Sequence, residues 1–392
     1  MKKYNQTIYA CCLGYITQAI TNNLAPLLFI IFMKQFEFSL PEITAVTTTN
    51  FAIQLFVDLL SAKFIDNIGY RVSVVMAHIF SALGLIGMGT LPFLFSNAYV
   101  GLMIAVLLYA IGGGIIEVLI SPIVEACPSE NKAATMSMLH SFYCWGTVAV
   151  VMVSTIFLKF AGKDQWIWLA FGWAVIPVLN AIWFTKVPIE MLTEEGEGMS
   201  IIQLAKTKMF WVFLVLMITA GASEQGMSQW ASAFAESGLK VSKFVGDLAG
   251  PCFFSILMGL ARAFYGKYGE KINLLRFIMG SAVLCIIAYF IAALFANPVI
   301  SLIGCGICGL SVGIMWPGVF SMASERMPKG GTALFALLAL GGDVGCSSGP
   351  TVVGMASNAF DGNLKMGLIF AVIFPITMVV FSLVLNNMKS QK

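Results

Sequence analysis

Residues 98–125 read AYVGLMIAVLLYAIGGGIIEVLISPIVE. The stretch is longer than the roughly 20 apolar residues a helix needs to cross a bilayer. Its only acids are Glu117 and Glu125, and it has no Lys or Arg. Hydrocarbon offers the backbone no water, so such a run must pair its peptide groups internally, as a helix. The same reading applies along the chain, at 7–33, 41–63, 72–95, 133–158, 165–185, 209–235, 243–265, 273–295, 298–323, 331–357 and 363–387. These runs predict an all-α membrane protein with 12 transmembrane helices.

Composition agrees. Hydrophobic residues make up 59% of the chain and charged residues 10%, against about 25% charged in soluble domains. The net charge of +3 implies no nucleic-acid partner; the partner is the lipid bilayer. The bases are distributed unevenly. With the N-terminus inside, the inner side collects Lys2, Lys3, Lys63, Arg71, Lys132, Lys186, Lys206, Lys208, Arg262, Lys267, Lys271, Arg276, Arg326, Lys329, Lys389 and Lys392. The outer side holds Lys34, Lys159, Lys163, Lys240, Lys243 and Lys365. This positive-inside bias predicts a multi-pass protein of the cell membrane with both termini cytoplasmic. The first run is too long for a cleavable signal and continues as a span.

Catalytic signatures do not emerge. Cys305 and Cys308 form a CxxC inside a Gly-rich run without companion ligands, so they read as small packing residues. Gly112, Gly113 and Gly114 open no strand–helix unit, so they read as close helix packing rather than nucleotide binding. No nucleophile–base pair or metal set appears. The expectation is a protein that is not an enzyme, needs no cofactor or metal, and acts as a monomer.

The polar stretch 187–208 carries Glu190, Glu194, Glu195 and Glu197, then Lys206 and Lys208. It divides the chain into a six-helix half over 1–186 and a second over 209–392. The halves echo each other: residues 61–71 read SAKFIDNIGYR after the second run, and 261–271 read ARAFYGKYGEK after the eighth. A repeated six-span half suits a transporter that binds its substrate near the midplane.

Asp66, Asn67, Gly69, Tyr70 and Arg71 resemble the signature that follows the second span in the major facilitator superfamily. The resemblance implies that family's fold of two six-helix halves, and a conformational latch made by Asp66 and Arg71. A narrower resemblance runs from Gly112 through Glu117, Ser121 and Pro122 to Ser137, His140, Phe142, Trp145 and Gly146. This segment looks like the fourth and fifth spans of fucose–proton symporters and related sugar carriers. There Glu117 would match a proton-linked glutamate, and His140 would fall where the family has a substrate-contacting Gln. Asn22-Asn23-Leu24 resembles the family's Asn-Asn-Leu, while Pro26 stands where the family has an acid.

Ionisable and polar groups inside spans are costly, so each is a candidate. Glu117 lies eight residues from Glu125, about 12 Å along a helix and near the midplane. It is a candidate proton carrier. His140 sits at a similar depth and can donate to a ligand oxygen or exchange a proton. His78 reads as a packing histidine. The seventh run carries Glu224, Gln225, Ser228, Gln229 and Trp230: a carboxylate and two amides for bidentate hydrogen bonds, and an indole as an apolar wall. Glu224 and Ser228 share one face, and Gln225 and Gln229 the next. Asp343, flanked by Gly341, Gly342 and Gly345, points either to close helix approach or to a broken turn. Trp316-Pro317 marks a break in the tenth run. Asp58, about one turn before Lys63, reads as paired with a neighbouring base. Substrate contacts are therefore expected from Asn22, Asn23, His140, Glu224, Gln225, Gln229, Trp230 and Trp316, and proton coupling from Glu117, His140 and Asp343. The first, fourth, fifth and seventh spans are expected to line one cavity.

The function expected is secondary active transport of a small polar, sugar-like solute, with H+ as the coupling ion and Na+ as its rival. Efflux of amphipathic compounds is an alternative within transport. A substrate sensor on a transporter scaffold is the alternative from another class.

Overall fold

The computed structural model describes residues 2–192, 198–239 and 248–388. Every described element is helical. Eleven helices among the described residues are long and apolar enough to cross a membrane. Glu194, Glu195, Glu197, Lys240, Lys243, Lys389 and Lys392 lie outside the described residues, as does the start of the eighth run.

The helices follow the apolar runs closely. They are α1 (Lys2–Gln35), α2 (Leu40–Ile68), α3 (Tyr70–Leu94), α4 (Ala98–Ala126), α5 (Lys132–Ala161) and α6 (Trp166–Phe184). After the short α7 (Ile201–Ala205) come α8 (Lys208–Leu239) and α9 (Phe253–Tyr268). Then follow α10 (Leu274–Leu294), α11 (Pro298–Val312), α12 (Met315–Arg326), α13 (Gly331–Ala359), α14 (Leu364–Ala371) and α15 (Ile373–Asn387).

Three runs read as single helices are interrupted. In the eighth, a π turn over Leu248–Cys252 containing Pro251 precedes α9. The tenth parts at Gly313 and Ile314 into α11 and α12, and the twelfth at Val372 into α14 and α15. Each break lies within four residues before a proline or at one, and proline has no N–H to donate to the residue four back. Proline does not always interrupt, since Pro26, Pro92, Pro122, Pro177 and Pro350 sit within continuous helices.

The chain clusters into two compact units. One comprises Met1–Ser129 with Trp145–Gly198, and the other Glu130–Cys144 with Met199–Lys392. The first part of α5 thus belongs to the second unit, a division the apolar pattern alone does not reveal.

Glycines set the closest packing in both units. In the first, a β-carbon at Gly112 would strike Ala77 and Ser81 of α3; one at Gly113 would meet Thr21 of α1 and Gln54 of α2; one at Gly114 would meet Val57 of α2. The triplet packs α4 against three other helices, and packing is its role. In the second unit, Gly221 abuts the Gly342 carbonyl, Gly345 the Ile218 carbonyl and Gly349 the Ala222 carbonyl. Small residues let helix backbones approach where lipid supplies no hydrophobic drive. Asp343 therefore stands in a continuous α13 closely packed on α8, not in a broken turn. The CxxC pair is also packing: Cys308 Sγ lies 3.8 Å from Cys285 Sγ and Cys305 Sγ lies 3.4 Å from Met227 Sδ.

Candidate functional site

In the first unit, α1 and α4 run antiparallel along a polar stripe. Gly113, Glu117 and Ser121 recur every fourth residue and so share one face of α4. Opposite them on α1, Tyr15 Oη lies 2.7 Å from Ser121 Oγ, and Gln18 Nε2 donates to Glu117 Oε2 at 2.5 Å. Gln18 and Glu117 are both buried. One turn further along α1, Asn22 Oδ1 accepts from Gln54 Nε2 at 2.8 Å and from Asn50 Nδ2 at 3.3 Å. Gln54 Nε2 also reaches Asn50 Oδ1 at 3.1 Å. Among the described residues, the buried Gln54 Oε1 receives no hydrogen bond. Asn23 Nδ2 donates to the Ala19 carbonyl at 2.8 Å and Thr147 Oγ1 at 3.4 Å.

The expected Glu117 and Asn22 thus belong to two hydrogen-bonded groups along successive turns of α1, Glu117 with Gln18 and Asn22 with Asn50 and Gln54, and Asn23 lies nearby. Tyr15, Gln18, Asn50 and Gln54 were not singled out in the sequence. The available signal was the i, i+4 pair of amides at 50 and 54 inside an apolar run.

His78 is a packing residue in this unit. It is fully buried, with Nδ1 2.7 Å from the Val74 carbonyl and Nε2 2.8 Å from Asn180 Nδ2. The amide donates to Nε2, so Nδ1 carries the proton and the ring is neutral.

The second unit holds the other constellation. Glu224 on α8 is buried, and its Oε2 lies 3.3 Å from Arg262 Nη2 of α9. Arg262 Nη1 donates to the His140 carbonyl at 3.1 Å and to Cys144 Sγ at 3.2 Å, and Nε donates to the Gly313 carbonyl at 2.8 Å. Counting Arg262 among the inner surface bases is therefore corrected: it is 3% exposed and lies within the helix packing. The missed signal was a base inside the apolar run 243–265.

The His140 ring lies against Phe320 at 5.9 Å between centroids. Trp316 meets Phe320 edge-on at 6.3 Å, and its ring fills the space a β-carbon on Gly342 would need. The seventh-run cluster divides by face: Glu224 is buried, Gln225 and Ser228 are half-buried and Gln229 is exposed. The side chain of Trp230 lies outside the described residues. Asp343 is buried on α13, and so is Asp58 on α2.

The segment resembling the family signature is mostly helical, since α2 continues through Asp66 to Ile68. Only Gly69 separates α2 from α3. Its φ of 89° is open to glycine and strained for other residues. Its N–H bonds the Ile65 carbonyl at 2.8 Å and its carbonyl accepts from Ser73 at 3.1 Å. Arg71 Nη1 donates to the Phe184 carbonyl at the end of α6, at 2.8 Å. A cation there satisfies an orphan carbonyl and complements the helix dipole.

A chain of long apolar helices with acids and amides buried inside them has the make-up of a multi-pass membrane protein. The sequence profile of the Major Facilitator Superfamily matches residues 11–350, and the chain belongs to that family. It is therefore a transporter and not an enzyme. No curated protein matches the chain in sequence. Among solved structures it is similar to the superfamily transporter FucP in its outward conformation, at TM-score 0.82 and 14% identity over 96% of this chain and 98% of that one. It is similar to the proton:xylose symporter XylE bound to 6-bromo-6-deoxy-D-glucose, at 0.81 and 13% over 97% and 95%. It is also similar to a human organic anion transporter, at 0.76 and 12% over 96% and 99%. These likenesses show the fold.

Proposed function

We propose that the chain is a secondary active transporter moving a small polar, sugar-like solute together with a proton, by alternating access. The observation that carries this reading is the buried stripe where Glu117 accepts the Gln18 amide at 2.5 Å among further amides and hydroxyls. A carboxyl inside a spanning helix is a proton-relay position. Around it, Asn22, Asn50 and Gln54 offer donors and acceptors suited to a polyol, and Gln54 Oε1 is a buried acceptor for a solute hydroxyl. The neighbours named as symporters, one for xylose and one for fucose from E. coli, support a sugar as cargo and H+ rather than Na+ as the coupling ion.

In this reading Asn23, His140, Glu224, Gln225, Gln229, Trp230 and Trp316 are further solute contacts. His140 and Asp343 serve proton transfer beside Glu117, and Asp66 and Arg71 form the latch. The functional halves are 1–186 and 209–392, joined by a cytoplasmic 187–208. The protein works as a monomer in the cell membrane.

The test uses unenergised cells carrying the chain, in lightly buffered medium. Adding hexoses, pentoses or polyols one at a time should make the medium more alkaline for at least one of them, and a protonophore should abolish the response. A chain silent to all of them, but melting at higher temperature with amphipathic drugs, would instead be an efflux protein. Orientation is tested separately. A cysteine at Gly198 should resist a membrane-impermeant maleimide added to intact cells and react after permeabilisation. Labelling without permeabilisation would reverse the topology argued from charge.

A further inference from the structure

Arg262 brings a full charge into the helix packing of the second unit, and nothing in the proton or solute roles above uses it. A guanidinium offers five N–H donors in a planar fork, whereas an ammonium is a point charge. Here the fork is spread over three elements. Nε holds the Gly313 carbonyl, Nη1 the His140 carbonyl and Cys144 Sγ, and Nη2 Glu224 Oε2. The Gly313 carbonyl is available because Pro317, four residues on, has no N–H to give it. The pairing of α9 with the start of α5 is reinforced on either side. Ser137 Oγ donates to Arg262's own carbonyl at 2.8 Å, and Gly266 packs against Met138.

Each element the fork holds bears a group assigned above to the solute: Glu224 on α8, His140 on α5, and Trp316 on α12 just past the break. We propose that Arg262 is the positioning residue of these contacts. One guanidinium fixes the Glu224 carboxylate, the α5 turn carrying His140 and the α11–α12 break carrying Trp316 in a single arrangement. The inference rests on the reading that these groups meet the solute. Its core, the three-way tie, can be tested without any solute.

Arg262→Lys keeps the charge beside Glu224 but cannot hold three directions at once. The purified full-length chain is treated with N-ethylmaleimide, and labelling is resolved by peptide. Cys144 is fully buried, as are Cys11 and Cys285 elsewhere. In Arg262→Lys, labelling of Cys144 should rise roughly tenfold with Cys11 and Cys285 unchanged, and KM for a responding sugar should rise more than kcat falls. Cys144 protected as in the native chain would overturn the proposal, leaving Arg262 as the counter-charge of Glu224 alone. A rise at all three cysteines would overturn it too, by showing general loosening. If Arg262→Lys fails to fold, the double variant Arg262→Gln with Glu224→Gln strands no buried charge and takes the same labelling test. A native chain that moves no proton with any sugar defeats the functional reading, and the labelling result still decides the tie.

Discussion

Glu117→Gln should abolish uphill accumulation of the solute in energised proteoliposomes while leaving solute exchange across the membrane intact. Glutamine matches the protonated acid in shape and keeps an oxygen for the Gln18 amide, so the α1–α4 stripe should survive. What it cannot do is release a proton. The accumulation ratio should therefore fall to about 1, because exchange needs no proton traffic and accumulation does. Accumulation at the native level in this variant would remove Glu117 from the coupling step and transfer attention to Glu224 or Asp343.

Gly345→Ala should be the most damaging methyl addition among the described glycines. The new β-carbon would be driven into the Ile218 carbonyl and lie 2.9 Å from the Ala222 amide nitrogen. Both are backbone atoms of α8, so no side chain can swing aside. Overpacking of this kind costs about 3 kcal/mol, a large share of a typical folding stability. The measurable result is a lower melting temperature and an aggregated peak in size-exclusion chromatography. Gly280→Ala and Gly172→Ala are the controls, since a β-carbon there meets nothing within 4 Å. A Gly345→Ala protein that melts with the native one would show that α8 and α13 are further apart than described here.

The helical architecture was legible because lipid leaves the backbone few options. An uninterrupted apolar run has to be a helix, and α4 begins and ends within a residue of the run at 98–125. The interruptions were harder to read. Pro317 and Pro122 look alike in sequence, yet only the first follows a break, at Gly313 and Ile314, while α4 runs on through Pro122. At Gly313 the carbonyl that Pro317 leaves free accepts from Arg262. The candidate site was legible where an ionisable residue lies deep within an apolar run, as Glu117 and Glu224 do. It was illegible where the partner is a lone uncharged amide such as Gln18, which has no second polar group beside it in the sequence to mark it and meets Glu117 only through the packing of α1 on α4. Arg262 escaped for a different reason: near the end of a run, a buried base and a surface base give the same one-dimensional pattern.

Gly69 has a mechanical consequence. Its amide is committed to α2 and its carbonyl to α3, so the joint between these two long helices contains no slack chain. Arg71 adds the end of α6 to the same assembly through the Phe184 carbonyl. Displacing Asp66 would thus move a bracket of three helices, with no loop between α2 and α3 to absorb the displacement. Lengthening this corner by a few flexible residues would leave every helix able to form and yet decouple the bracket, as a slack cable replaces a rod.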